Sequence, residues 1–381
     1  MKYNFDELID RHETESYKWD FWGDDKNMIP MPVADMDFRV AEPILEALKK
    51  VTDHGIFGYS ICPQELIDLI IKQQFEKYNW KIEKEWLVFT PGIEPAITTV
   101  CKAFGGINRS ILTPIPVYHP FLFGIGYSKS TIIESQLIER NGRYTFNFDT
   151  FERSFEPNTA LFMLSNPHNP GGTVFTKAEL NKMGEICLKN KTIIFSDEIH
   201  CDLMMNETSK HIPIASLSQE LEQNTITCIS PSKTFNTAGL ACSVAIIPKK
   251  EIRDKFLAEK AGMMPAIGRH AYLATLAAWR DGAPWKNELL PYLRKNHDYL
   301  LEKINTIPGL RMLPLEATYL AWIDCSECLI DNLHEKLIEN GVRLNNGPLF
   351  RGAGFLRLNF ACPFSVLEEA VARIEKTVNF H

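Results

Sequence analysis

A lysine set among small hydroxyl residues at the end of an apolar run is the clearest chemical feature of the chain. Lys233 lies in Ser230-Pro231-Ser232-Lys233-Thr234-Phe235-Asn236, directly after Thr225-Ile226-Thr227-Cys228-Ile229. An amine placed there suits a Schiff base with an aldehyde, provided that burial or a neighbouring charge lowers its pKa enough to leave it unprotonated. The flanking serines are hydroxyl donors for a phosphate. Alone, a lysine between Ser and Thr reads as readily as a solvated surface residue. Two further segments alter that balance. The apolar run 160–165 leads into Asn166-Pro167-His168-Asn169-Pro170-Gly171-Gly172, and the run 192–196 leads into Asp197-Glu198-Ile199-His200.

Together these three strand ends supply what pyridoxal 5'-phosphate (PLP) chemistry requires. Lys233 joins the aldehyde and then shuttles a proton. Asp197, as a carboxylate, faces the pyridine nitrogen and favours its cationic form, and a protonated ring is the better electron sink. Asn169 donates its amide to the phenolic oxygen, and His200 supports the edge that Asp197 occupies. The phosphate needs donors. Thr90-Pro91-Gly92-Ile93-Glu94 joins a strand to a helix, so the backbone N–H groups at Gly92 and Ile93 lie at the positive end of a helix dipole. Ser230 and Ser232 add hydroxyls. Tyr118, in Pro116-Val117-Tyr118-His119-Pro120, is placed to stack on the ring.

Each of these residues also has a plainer interpretation. Asn-Pro and Pro-Gly form turns, Asp197 caps a helix, Tyr118 fills a core, and Gly92 shapes a bend. In an open α/β sheet, however, ligands bind beyond the carboxyl ends of the strands, which brings all of these groups to one crevice.

The elements that must position them follow from hydrophobic periodicity. Helices are predicted at 43–52 and 63–78. From residue 86, strands at 86–90, 110–114, 130–135, 160–165, 192–196, 225–230 and 243–248 alternate with helical stretches such as 94–104 and 177–189. That alternation predicts a mostly parallel sheet covered on both faces. Helices follow over 262–281 and 284–307. An α+β pattern closes the chain, with strands at 311–314, 319–323, 341–344 and 355–359 and helices at 331–340 and 364–377. With 381 residues, two domains are expected: a large one over 45–285, and a smaller one from 1–44 combined with 286–381.

Bulk properties exclude several function classes. The net charge of -7, from 41 basic and 48 acidic residues, offers no basic surface for nucleic acid or membrane. The first residues lack the apolar core of a signal peptide, and no apolar run has the length of a membrane span. A cytoplasmic enzyme is the expectation. Nine scattered cysteines suit reduced, buried thiols. Cys325-x-x-Cys328 lacks the second pair of a zinc or redox site, so no metal is expected.

The N-x-x-N-P-x-G, D-E-x-H and S-x-S-K-T segments resemble those of the fold-type I PLP enzymes, the aspartate aminotransferase superfamily, over nearly the full length. More closely, the chain is similar to the MalY/PatB-type cystathionine β-lyases (C–S lyases). The similarity lies in Val33-Ala34-Asp35-Met36-Asp37-Phe38, Phe57-Gly58-Tyr59, Asp197-Glu198-Ile199-His200-Cys201-Asp202-Leu203, and Lys233-Thr234-Phe235-Asn236-Thr237-Ala238-Gly239-Leu240. Typical aminotransferases of the superfamily carry Tyr where His200 stands. The resemblance implies α,β-elimination from L-cystathionine or related S-substituted L-cysteines, giving a thiol, pyruvate and ammonia. An aminotransferase on this scaffold would use the same Lys233, Asp197 and Arg357.

The resemblance also assigns further residues. Arg357, in Gly354-Phe355-Leu356-Arg357-Leu358-Asn359, matches the arginine that grips the substrate α-carboxylate through bidentate pairing. Asp35 falls on the substrate side. Tyr59 matches the tyrosine that reaches the cofactor phosphate of a neighbouring subunit, which implies a homodimer with shared active sites. Some relatives also bind a transcription regulator, so an additional regulatory protein-binding role stands as an alternative. Arg351 stands where the family carries a small residue or glycine, and that places it as a contact for a distal substrate group.

Overall fold

Continuous apolar and β-branched runs become the centre of the structure. In the computed structural model, which describes residues 2–23 and 25–379, the strands are β1 (Ile29–Pro30), β2 (Leu87–Thr90), β3 (Ser110–Ile115), β4 (Thr131–Arg140), β5 (Arg143–Phe146), β6 (Thr159–Ser165), β7 (Ile193–Asp197), β8 (Thr225–Ile229), β9 (Ser243–Ile246), β10 (Arg311–Met312), β11 (Leu320–Asp324), β12 (Val342–Arg343), β13 (Asn345–Asn346) and β14 (Phe355–Asn359). Every residue of β3, β8 and β9 is buried. This is why these strands show no polar alternation: helices cover both faces of the sheet.

The large sheet has eight strands in the order β2-β9-β8-β7-β6-β3-β4-β5. Strands β8, β7, β6, β3 and β4 run parallel. β9 is antiparallel to both β8 and β2, and β5 folds back on β4 at the far edge. Helix Ile93–Phe104 lays Ala96, Ile97, Val100 and Phe104 into the core, at the spacing of one helical face. Helix Lys177–Lys189 starts at a capping box in which Thr176 and Glu179 satisfy each other's backbone N–H groups.

The second layer system is an antiparallel sheet, β10-β11-β14-β13, packed with helices Ala283–Ile304, Leu333–Glu339 and Phe364–Asn379. Its core also takes Phe5, Ile29, Met31, Met36 and Phe38 from the N-terminal segment, and β1 pairs in parallel with β12. The two ends of the chain therefore share one hydrophobic cluster. Ile44, from helix Glu42–His54, belongs to the same cluster.

Two of the departures from expectation have a clear backbone cause. The strand expected at 130–135 continues to Arg140 and turns into β5 through Asn141 and Gly142, whose φ angles are +55° and +71°. That is the left-handed pair a tight hairpin needs. The helix expected from residue 262 begins only at Arg269. Gly262 sits at φ +75°, and Pro265 lacks the N–H that a helical turn would use. Among the described residues, no helix is long and apolar enough to cross a membrane.

Candidate active site

Strand register brings the chemical residues together. Asp197 is the last residue of β7 and stands between Ser165 of β6 and Cys228 of β8. The ladder runs one residue further, with Asn166 N–H donating to the Asp197 carbonyl and Glu198 N–H to the Cys228 carbonyl, both at 2.9 Å. The turns carrying Asn169, Asp197 and Lys233 thus leave the same edge of the sheet side by side. On the β2 side, Gly92 caps helix Ile93–Phe104 at φ +106°, a conformation that glycine adopts without strain. A cavity of about 220 Å³ opens between the Gly92 and Lys233 turns and is lined by Gly92, Ile93, Glu94, Tyr118, Ser232 and Lys233.

Burial sets the protonation of the site. It lowers the pKa of Lys233; the Asp35 carboxylate opposes the shift and the Arg357 guanidinium adds to it. Lys233 Nζ donates to the Ala34 carbonyl at 2.8 Å. Asp197 is 4% exposed and accepts a backbone N–H from Ile199 at 3.2 Å. Desolvation pushes its carboxyl up to about 7, because the charged form is penalised until a cation faces it. Burial, helped by Lys233 and Arg357, drives His200 down to about 3. Its imidazole is therefore neutral, and its Nδ1 has no partner.

Arg357 is 3% exposed on β14. Its Nη1 donates to Asn169 Oδ1 at 3.0 Å and its Nη2 to the Pro32 carbonyl at 2.8 Å. The guanidinium lies 4.6 Å over the Phe350 ring, while Nε is left without an acceptor. Burial pulls its pKa down to about 10. A guanidinium taken out of water without a carboxylate is costly, and the arrangement is that of an anion site.

These residues fit PLP. The ring nitrogen would bring the cation that Asp197 lacks. Asn169, its oxygen already engaged, has an amide N–H to give. Gly92, Ile93 and Ser232 lie on the wall where a phosphate would need donors. Tyr118 lines the same cavity and donates its phenol to Glu94 at 2.7 Å.

Residues 26–374 match the family of aminotransferases class I and II. The chain belongs to that family. Within it, this aminotransferase-family chain is 36% identical to cystathionine beta-lyase PatB of Bacillus subtilis (strain 168), over 99% of the chain and 100% of PatB. Its fold matches the crystal structure of OvoB with a TM-score of 0.96 at 37% identity, over 100% of both chains. It matches cystalysin from Treponema denticola, whose crystal structure contains a pyridoxal 5'-phosphate cofactor, with a TM-score of 0.95 at 31% identity over 100% of both chains. The fold is the fold-type I architecture, and the chain is a relative of the MalY/PatB lyases.

Other expected residues occupy different places. The Ser230 hydroxyl donates to the Cys242 carbonyl at 2.8 Å and accepts the Ser232 N–H at 3.1 Å. It shapes the loop, and of the two serines Ser232 lines the cavity. Tyr59 stands fully exposed, outside the cavity formed by its own chain. Asp35 pairs with Arg11 at 2.9 Å. Arg351 Nε pairs with Glu134 at 3.0 Å, from a backbone at φ +63°. That left-handed position suits glycine, and the side chain is engaged with the rim of the sheet. Cys325 and Cys328 are free thiols, and among the described residues no His/Cys/Asp/Glu group could hold a metal.

Sequence reasoning did not single out Tyr319, Asn236 or Asn359. Tyr319 donates to the same Ala34 carbonyl at 3.1 Å and lies edge-on to His200. Asn359 Nδ2 reaches the Val33 and Asp35 carbonyls, and Asn236 Nδ2 reaches those of Met36 and Phe38. The available signal was polar residues inside otherwise apolar or motif-bearing segments.

Proposed function

We propose that the chain is a PLP-dependent carbon–sulfur β-lyase acting on L-cystathionine or related S-substituted L-cysteines, with a thiol, pyruvate and ammonia as products. The observation that carries the amino-acid reading is Arg357, a buried guanidinium without an anion, bonded to Asn169 and close enough to Lys233 to help lower its pKa. That geometry suits an α-amino acid held by its carboxylate.

When bound, PLP supplies an aldehyde for amine exchange and an electron sink for the α-carbon. The protein's residues do the rest. Arg357 holds the carboxylate and fixes which face of Cα meets Lys233. Lys233, made less basic by burial, takes the α-proton. Asp197 would keep the ring nitrogen protonated, and Asn169 would donate to the phenolic oxygen. The Gly92–Ile93 helix start and Ser232 would hold the phosphate. A thiolate leaves from Cβ with less acid assistance than an alkoxide would need. Elimination, as opposed to amino transfer, is supported by the likeness to PatB.

The segment around Tyr59 supports the dimer expected from the sequence. Ile56, Phe57, Tyr59 and Ile61 are 68%, 70%, 103% and 90% exposed, an apolar stretch of the kind that marks an interaction surface. In this proposal a second copy covers it, and Tyr59 reaches the partner's phosphate site. Sedimentation of the holoenzyme tests the dimer, and a monomer at micromolar concentration would refute it.

Incubation with L-cystathionine, without any keto-acid acceptor, tests the reaction. Equimolar thiol and pyruvate are expected. Strict dependence on an acceptor would make the chain an aminotransferase.

A further inference from the structure

Within the N-terminal segment lies a partly buried cluster of charges, with Lys18 and Asp37 buried and Arg11 and Asp35 half-buried, that the reaction does not account for. Lys18 is 1% exposed; its Nζ lies 2.7 Å from Asp37 Oδ2 and 3.8 Å from Asp35 Oδ1. Arg11 spans the same two carboxylates, at 2.6 Å from Asp37 and 2.9 Å from Asp35, and also donates to the Met36 carbonyl. Trp19 Nε1 donates to Asp37 at 3.0 Å. Two cations thus grip two carboxylates that flank a single residue, Met36. Buried ion pairs add little net stability over apolar packing of the same volume, so energy alone does not explain this arrangement. What it does fix is direction.

The stretch between 32 and 37 forms no regular secondary structure, and its carbonyls point at the site. The Ala34 carbonyl accepts from Lys233 Nζ and from the Tyr319 phenol. The Pro32 carbonyl accepts from Arg357 and Asn345. Asn359 and Asn236 bind the carbonyls on either side. The charged groups facing Lys233 are Asp35 from this strap, Glu94 from helix Ile93–Phe104, Asp197 from β7 and Arg357 from β14, with neutral His200 beside them. Around Asp37 they are Lys18 and Arg11, with the Cys362 thiol, kept neutral by burial, beside them.

We propose that Arg11, Lys18, Asp35 and Asp37 form a positioning cluster that holds the Ala34 and Pro32 carbonyls against Lys233 and Arg357 and sets the charge that the lysine experiences. The proposal rests on Lys233 and Arg357 having the roles given above. The strap acts as a carbonyl-lined wall shared by the reacting amine and the carboxylate-binding arginine. Asp35 supplies the negative field, and Lys18 and Arg11 cancel part of it.

The test is a pH titration of the visible absorbance of the PLP-loaded enzyme, which reports protonation at the Lys233 linkage without turnover. Asp35→Asn removes a negative charge and is expected to move the midpoint down by about 0.5–1 unit. Lys18→Met removes a positive charge and is expected to move it up by about the same amount. Lys18→Arg is expected to restore the wild-type midpoint. Should Lys18→Met not fold, Asp35→Asn and the double change Lys18→Met/Asp37→Leu, which removes one charge of each sign, carry the test. The first is then expected to shift the midpoint downward and the second to leave it near wild type. Lowered melting temperatures with unmoved midpoints would overturn the proposal and leave the cluster a structural feature. A wild-type enzyme with no visible band, and no borohydride-trapped adduct at Lys233, would instead overturn the cofactor assignment.

Discussion

Arg357 and Asn169 are joined by one hydrogen bond across 188 residues of sequence, Nη1 to Oδ1 at 3.0 Å. The bond ties the small sheet to the large one, between the arginine proposed to hold the substrate carboxylate and the asparagine proposed to face the cofactor. It also occupies the amide oxygen with the guanidinium, which leaves the amide N–H groups as the donors Asn169 has to offer. Asn169→Asp would replace a neutral acceptor by a carboxylate and neutralise Arg357 from within. KM for amino-acid substrates is expected to rise about 10- to 100-fold, the effect of about 1.4–2.8 kcal/mol. An unchanged KM would show that the arginine does not bind the substrate carboxylate.

Arg357→Ala removes the charge itself. Loss of one partner of a buried charge-assisted pair costs about 2–5 kcal/mol, so KM is expected to rise by at least about 30-fold for every amino-acid substrate. The visible spectrum of the resting enzyme should persist, because Lys233 and Asp197 are untouched. Steady-state kinetics beside an absorbance spectrum separates the two effects.

Lys233→Ala removes the proton carrier at Cα. Turnover is expected to fall by about a thousandfold or more, and borohydride should trap no adduct at that position. The apoprotein should melt no lower than wild type, because burial disfavours the charged amine. A large loss of melting temperature would assign Lys233 a structural task.

His168 predicts an acid-limb effect. Its ring is fully buried and burial lowers its pKa to about 4, whereas the unfolded chain takes a proton near 6.5. Between those values the unfolded state binds more protons, so stability falls as pH falls through the window. His119 and His200, at about 4 and about 3, act in the same direction. Asp197, raised to about 7, opposes them, since the folded state there holds the extra proton. His168→Asn keeps an acceptor for the Gly171 N–H and is expected to flatten the decline, by about 3 kcal/mol between pH 6.5 and 4. Urea unfolding across that range is the measurement, and an unaltered slope would contradict the assignment.

The catalytic edge was legible because its residues sit at strand ends, where an apolar run stops and a polar turn begins. Helix Lys177–Lys189 and strand Phe355–Asn359 coincide with the expected spans, since a capping box marks one and an apolar run bounded by Gly354 marks the other. The β4–β5 hairpin was missed although Asn141-Gly142 announces it, because the polar residues of β4, an edge-side strand, disguised its length. The roles of Asn236, Tyr319 and Asn359 depend on carbonyls that are distant in sequence, and no local pattern encodes such pairing. Ser230 shows the reverse case, in which a motif residue of the right type spends its hydroxyl on the neighbouring backbone. Arg351 likewise reads as a departure in sequence, yet in the structure it is a surface partner of Glu134 on a glycine-like backbone.

The strap has a consequence for the order of events during synthesis. Residues 32–36 emerge from the ribosome early, and Arg11 and Lys18 are already there to pair with Asp35, but the donors to most of their carbonyls follow some 199 to 326 positions later. Until β14 has been translated, the Val33 and Asp35 carbonyls lack Asn359 and the Pro32 carbonyl lacks Arg357, and loop closure over such separations is slow. The wall over Lys233 is therefore among the last parts of the molecule to assemble. A nascent chain stalled before β14 would hold a finished parallel sheet and a pocket walled only in part, with the Ala34 carbonyl held and the Arg357 bond still missing.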